Sequence, residues 1–84
     1  MDIHDIRIRD VLISVNEILE KKPIATFKDV IATSKCKRYS VKEIGEILEW
    51  LRRNGMIKAS SRFGCSELLE FSAKSVTEEG KKYL

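Results

Sequence analysis

The chain has 84 residues, of which 43% are apolar, and a formal net charge of +3; this predicts one small packed domain and excludes a disordered tail. No apolar run approaches the roughly 20 residues that a bilayer crossing needs, which excludes a membrane-spanning helix. The acidic start of the chain, Met1 to Asp5, is unlike a signal or transit peptide, so we expect an intracellular, cytoplasmic protein.

The first predicted element is a long helix over about residues 5–22, because apolar residues recur there at spacings of three and four. These residues are Ile8, Val11, Leu12, Val15, Ile18 and Leu19. Asp2 or Asp5 can cap its start, and Pro23 ends it.

A helix-turn-helix is predicted over about residues 26–54. Thr26, with an aspartate three residues later, gives a short second helix a start resembling a capping box. Ser40, with a glutamate three residues later, repeats this signal for a third helix. The expected apolar stripe of that helix is Val41, Ile44, Ile47, Leu48 and Leu51. Gly55 supplies the left-handed residue that stops it.

Two strands and a short helix are predicted for the remainder. Residues 56–60 and 66–71 read as paired strands of a hairpin over about residues 56–72, with Gly64 at the turn. Thr77 can cap a last helix over about residues 77–84. This order predicts an α+β fold in a single domain covering residues 1–84.

Positive charge is concentrated in the middle of the chain. The segment from Lys35 to Arg62 holds eight basic and three acidic residues, a net charge of +5, whereas the rest of the chain has a net charge of −2. Such a concentration is the electrostatic footprint expected of a surface that binds nucleic acid.

The turn before the third helix is the first candidate DNA contact, since this part of a helix-turn-helix approaches the backbone and the groove. Cations there can replace counterions at phosphates, and the first turn of the helix offers donors at the positive end of its dipole. The candidate residues of this segment are Lys35, Lys37, Arg38, Tyr39, Ser40, Lys42 and Glu46.

The hairpin is the second candidate contact. Lys58 and Arg62 flank its tip, and an arginine at a hairpin tip can bind phosphate or enter a minor groove. Phe63 either folds back on the core or is exposed. Arg52 and Arg53 are instead expected to stabilise the C-terminal end of the third helix.

Catalysis and metal binding are not expected. The chain has one histidine, no glycine-rich phosphate loop and no metal-protease motif, so we predict that it is not an enzyme. Two cysteines, Cys36 and Cys65, with the distant His4 do not supply the four ligands of a structural zinc site, and we expect no metal and no cofactor. Reduced thiols are expected, and a disulfide within or between chains stays open.

From Thr26 to Leu84 the sequence resembles the winged-helix DNA-binding domains of small bacterial, archaeal and archaeal-virus transcriptional regulators. Two stretches carry the resemblance: a helix end of leucine, polar residues, glycine and an apolar pair at residues 51–57, and a Thr-x-x-Gly-x-x-x-Leu pattern at residues 77–84. The resemblance implies a winged helix with a two-stranded wing that binds double-stranded DNA and regulates transcription.

The resemblance also implies which residues read bases and how the chain assembles. Base readers would be Tyr39, Lys42, Glu43 and Glu46. Pairing through terminal helices would give a homodimer that reads half-sites about 34 Å apart, with Ile3, Ile6 or Trp50 at the interface. The alternative is a winged helix that binds a protein through Glu43, Glu46, Glu49 and Trp50; RNA binding is a third option. Taken alone, the spacing of the three glutamates is typical of a solvated helix face.

Overall fold

Within residues 5–64 and 67–84, which the computed structural model describes apart from the side chains at positions 63 and 67–69, the chain forms four helices and a three-stranded antiparallel sheet. The predicted α+β class is thus confirmed. In chain order the elements are α1 (Ile6–Lys21), β1 (Ala25–Thr26), α2 (Phe27–Ile31), α3 (Val41–Arg53), β2 (Ile57–Gly64), β3 (Glu67–Val76) and α4 (Glu78–Lys81).

The core lies where α1 and α3 pack on each other and on the inner face of the sheet. The fully buried aliphatic residues of the two helices are Ile8, Val11, Leu12, Val15, Ile44, Ile47, Leu48 and Leu51. All eight belong to the predicted stripes, and burial of each side chain stabilises the fold by roughly 1.5–3 kcal/mol. Val41 is the exception in its stripe, since it is 56% exposed.

The sheet has the strand order β1-β3-β2, one strand more than the sequence predicts. The added strand β1 pairs with β3 through only two residues, Ala25 opposite Ala73 and Thr26 opposite Ser72. Both alanines are completely buried, so this short pairing places the chain between α1 and α2 against the core. A segment of two residues is too short to show the alternation that marks a strand.

Side chains and one glycine set the helix boundaries. Asp5 caps α1, and Thr26 caps α2 in a capping box whose two hydrogen bonds are both present. Ser40 caps α3 by accepting the backbone N–H of Glu43 at 3.1 Å. Gly55 follows α3 with a φ of +71°, in the left-handed region that favours glycine.

The last helix is shorter than predicted. It spans four residues, Glu78–Lys81, instead of extending through residue 84. Thr77 caps it, as expected, by accepting the N–H of Gly80 at 3.1 Å. Gly80 itself is buried against the start of β2, where a Cβ would overlap the carbonyl oxygen of Met56 and lie 2.8 Å from Val76 Cγ1. The helix is therefore held by close backbone packing.

In the described part of the chain, none of the helices has the length and apolar character that would let it span a bilayer.

Candidate nucleic-acid interface

The segment between α2 and α3 is a run of turns anchored by one buried side chain. Cys36 is completely buried, with its Sγ 3.5 Å from Ser14 Oγ on α1, and it is a free thiol. The backbone N–H groups of Cys36 and Lys37 both donate to the carbonyl of Thr33 at 3.1 Å. The predicted alternative of a disulfide involves Cys65, which lies outside the described residues.

Burial of Cys36 turns its two neighbours outward. Lys35 and Lys37 are both exposed, and neither forms an ion pair within the part of the chain that the structure describes. Their ammonium groups therefore remain available to an external anion. This is the placement that the sequence predicts for phosphate-binding residues.

Arg38 and Tyr39, also predicted to contact DNA, are held by a carboxylate of α1. Asp10 Oδ2 accepts hydrogen bonds from Arg38 Nη2 at 2.5 Å and from the Tyr39 hydroxyl at 2.7 Å. The Arg38 guanidinium also lies over the Tyr39 ring, 5.2 Å from its centroid. The Tyr39 hydroxyl thus donates inward, whereas most of the Arg38 side chain stays exposed and keeps further donors.

This arrangement shifts the pKa values of Asp10 and Tyr39 in opposite directions. Burial on its own would raise the pKa of Asp10, but the hydrogen bonds from Tyr39 and Arg38 outweigh it and lower that pKa below its usual value. Burial, together with the bond to Asp10, raises the pKa of Tyr39. At neutral pH the pair is therefore a charged carboxylate bonded to a neutral phenol.

The first turn of α3 projects beyond the core. Val41 shares a helix face with Ile44 and Leu48, three and seven residues further on, yet it is 56% exposed while they are 1% and 0% exposed. Ser40 and Lys42 on either side of it are also exposed, and Lys42 has no ion pair among the described residues. The N-terminal end of α3 is therefore accessible around much of its circumference.

The acid in this first turn forms an ion pair with an arginine of α1. Glu43 Oε2 accepts a hydrogen bond from Arg7 Nη1 at 2.8 Å, and Arg7 is bonded at the same time to the carboxylate of Asp5. The hydrogen bonds to Asp5 and Glu43 raise the pKa of Arg7 well above its usual value. Sequence reasoning did not include Arg7 in the site, because a link across 36 residues leaves no local signal.

The three glutamates of α3 do not form one solvated face, which corrects the sequence-based interpretation. Glu46 is exposed, but Glu49 is 7% exposed and accepts hydrogen bonds from Ser61 Oγ at 2.7 Å and from Arg53 Nε at 3.1 Å. Arg52 completes the cluster with two donors. The hydrogen bond from Arg52, with those from Ser61 and Arg53, lowers the pKa of Glu49 to about 2.

This cluster joins the end of α3 to the hairpin. Ser61 lies on β2, so the Glu49 carboxylate fixes the position of that strand relative to α3. Arg52 and Arg53 therefore bind the Glu49 carboxylate, in addition to their favourable interaction with the C-terminal end of the helix dipole. Trp50, which follows Glu49 on α3, is half-buried and packs against the core.

The hairpin carries the two remaining predicted contacts, but Lys58 lies at its base, opposite Ser75, and does not flank the tip as expected. Lys58 is exposed and without an ion pair in the described ranges, whereas Arg62 faces Glu70 on β3 and donates to it at 3.3 Å. Both partners of that pair are mostly exposed, so an anion can compete with Glu70 for the guanidinium. The side chain of Phe63 lies outside the described residues.

Within residues 5–64 and 67–84, no cluster of three or more His, Cys, Asp or Glu side chains could hold a metal ion. Comparison with known proteins gives no match to a family model, a curated protein or a solved structure.

Proposed function

We propose that the protein is a winged-helix domain that binds double-stranded DNA in the cytoplasm as a small transcriptional regulator. The supporting observation is the projecting first turn of α3, which lies directly after the exposed cations of the preceding turn. A helix that enters the major groove does so with its N-terminal residues, which must be free of the domain's own packing. Val41 lies on the same helix face as the buried Ile44 and Leu48, but it is 56% exposed because the first turn extends beyond the core.

The order of the elements supports the finer fold assignment. A helix, a turn, a second helix, a hairpin and a final helix follow one another from Phe27 to Lys81, as in winged helices. In this proposal α3 is the recognition helix and the β2–β3 hairpin is the wing, with β1 as a short third strand. The Glu49–Ser61 hydrogen bond sets the angle between wing and helix.

Exposed lysines supply most of the affinity in this proposal. Within the described residues, ion pairs with carboxylates engage eight basic side chains, including both candidate arginines, whereas the four candidate lysines have no such partner there. These four are Lys35, Lys37, Lys42 and Lys58. Each cation that neutralises a phosphate releases condensed counterions, so the binding is dominated by the DNA backbone.

Arg7 reduces the electrostatic repulsion between the start of α3 and DNA in this proposal. Carboxylates at the start of a recognition helix repel phosphates, and Glu43 stands there. Its ion pair with Arg7 at 2.8 Å offsets only part of that charge, because Arg7 is shared with the carboxylate of Asp5, and it brings a second guanidinium to the same surface. Glu46, which is exposed, remains available to accept from the N4 amino group of cytosine.

A homodimer is part of the proposal, with paired half-sites on the DNA. Ile6, at the start of α1, is 65% exposed and supplies an apolar contact residue, while Ile3 lies outside the described residues. Trp50 packs on its own core and is less suited to the interface. The protein-binding alternative is weakened by the same structure, because Glu49 is buried and Glu43 is paired.

The test compares two double variants of equal charge. Lys37→Ala with Lys42→Ala removes two unpaired lysines of the proposed interface, whereas Lys21→Ala with Lys74→Ala removes two exposed lysines from the end of α1 and from β3. Anisotropy of a labelled mixed-sequence duplex should show weakened binding and a salt slope lowered by about 2 for the first variant only. Equal effects of both variants would indicate attraction by net charge without an interface.

A further inference from the structure

Val41 is an exposed aliphatic side chain among cations and polar groups. It is the first residue of α3, with Ser40 before it and Lys42 after it, both exposed. A β-branched residue adds little to the stability of an exposed helix end, and a valine that is 56% exposed contributes only part of its burial energy to the core. Packing in the core therefore uses only part of this apolar side chain, and the rest is presented at the helix end.

Duplex DNA offers one apolar group to a side chain that approaches through the major groove. That group is the C5-methyl of thymine, since the other groups on the base edges there are hydrogen-bond donors and acceptors. Lysines bring a helix end to the backbone without distinguishing sequences, whereas a valine at its tip gains free energy where it meets a methyl group and excludes water.

We propose that Val41 is a specificity-determining residue that contacts the thymine C5-methyl group in the major groove. This inference rests on the proposed DNA-binding function and adds a base preference to it. The cations around Val41 bring it to the groove, and its two methyl groups form the apolar half of the contact. The preference is for a C5-methylated pyrimidine, so 5-methylcytosine is also recognised.

The test removes the methyl group from each side of the contact. The probe is a labelled duplex of A·T pairs in non-repeating order, about two helical turns long, and a second copy with deoxyuridine in place of thymidine. The wild-type protein should bind the thymidine duplex about fourfold more tightly, the factor that corresponds to ~0.8 kcal/mol for one buried methyl group. Val41→Ala, whose side chain is shorter, should lose most of this preference.

Two controls separate the contact from an effect on DNA shape or on folding. Ile24→Ala shortens another exposed aliphatic residue, outside α3, and should keep the fourfold ratio. Lys37→Ala should weaken binding to both duplexes while keeping the ratio, because a phosphate contact does not sense the base. Thermal unfolding of Val41→Ala should match the wild type, since alanine is the better helix former.

A second pair of duplexes consists of G·C pairs with either cytosine or 5-methylcytosine. The wild type should bind the methylated duplex more tightly, and Val41→Ala should show a smaller gain. Equal thymidine-to-deoxyuridine ratios in the wild type and Val41→Ala would overturn the inference while leaving DNA binding intact. A loss of self-association in Val41→Ala, with an unchanged ratio, would identify Val41 as a protein contact and also overturn it. If no duplex is bound at low salt, the proposed function fails and the inference with it.

Discussion

Asp10 and Tyr39, 29 residues apart in the chain, are joined by a hydrogen bond of 2.7 Å from the Tyr39 hydroxyl to Asp10 Oδ2. The same oxygen accepts from Arg38, so one carboxylate on α1 holds the two residues that precede the cap of α3. Since the start of α3 is the centre of the proposed interface, α1 helps to position that interface.

Replacing Asp10 should destabilise the fold without abolishing it. Asp10→Ala removes the acceptor of a half-buried phenol, and we expect the free energy of unfolding to fall by about 2 kcal/mol. Asp10→Asn keeps a carbonyl acceptor for Tyr39 and should cost less. Urea unfolding measures both, with Glu46→Ala as the exposed control, which should stay within about 0.5 kcal/mol of the wild type. An Asp10→Ala variant as stable as the wild type would mean that the hydrogen bond between Tyr39 and Asp10 contributes nothing to stability.

Glu49 should make the stability depend on pH in the acidic range. Its pKa is about 2 in the folded protein against 4.5 for an ordinary glutamate, so its contribution is complete above pH 4.5 and is lost as the pH falls through 2. The shift corresponds to about 3 kcal/mol. Glu49→Gln should therefore be less stable than the wild type at neutral pH, and the difference should shrink as the pH falls from about 5 to about 2.

The measurement is urea unfolding of the wild type and Glu49→Gln at several pH values, with Glu46→Gln as the matched control on the same helix. Because Glu46 is exposed, its variant should run parallel to the wild type. A constant difference between the Glu49→Gln and wild-type curves would rule out the ion cluster as the source of the stability.

Gly80 and Gly55 should respond differently to alanine. A Cβ at Gly80 meets the carbonyl oxygen of Met56, which is backbone and cannot rotate away, so Gly80→Ala should cost about 2 kcal/mol or more. At Gly55 nothing lies within 4 Å, and the cost there is that of a positive φ, about 1–2 kcal/mol. Gly55→Asn should recover part of it, because asparagine tolerates this region. Thermal unfolding of the three variants tests this, and a Gly80→Ala variant as stable as the wild type would contradict the close packing.

Arg7 should influence DNA binding through Glu43. Arg7→Ala removes a cation and leaves the Glu43 carboxylate unpaired at the start of α3, so we expect the affinity for a mixed-sequence duplex to fall by about threefold at low salt. Glu43→Gln added to Arg7→Ala should restore part of that loss. A double variant that binds as weakly as Arg7→Ala alone would show that Arg7 acts on DNA directly and not by neutralising Glu43.

Local signals in the sequence were sufficient for α1, α3 and the helix caps, but not for the length of α4. The apolar spacing that defines α1 and α3 depends only on neighbours within a few turns, as do the caps at Thr26, Ser40 and Thr77. Gly55 has the positive φ that its place after α3 predicts. The boundaries of α1 agree with the expected ones to within one residue at each end.

Contacts between distant segments could not be predicted from local sequence patterns. Glu49 was expected in solvent because it continues the three-residue spacing of Glu43 and Glu46, but its partner Ser61 lies on the following strand. Val41 was expected in the core because it continues the helical spacing of the apolar residues of α3. Only the three-dimensional packing shows that α3 extends past the core at this position. The partners of Arg38 and Glu43 lie 28 and 36 residues earlier in the chain.

The salt dependence of DNA binding tests the central claim most directly. A labelled mixed-sequence duplex titrated with the protein at several salt concentrations between about 50 and about 200 mM should give a logarithm of the binding constant that falls linearly with the logarithm of salt concentration. Four lysine contacts with phosphates predict a slope of about −3 to −4. Absence of binding at the lowest salt, or binding that does not change with salt, would contradict the proposal that this surface binds DNA.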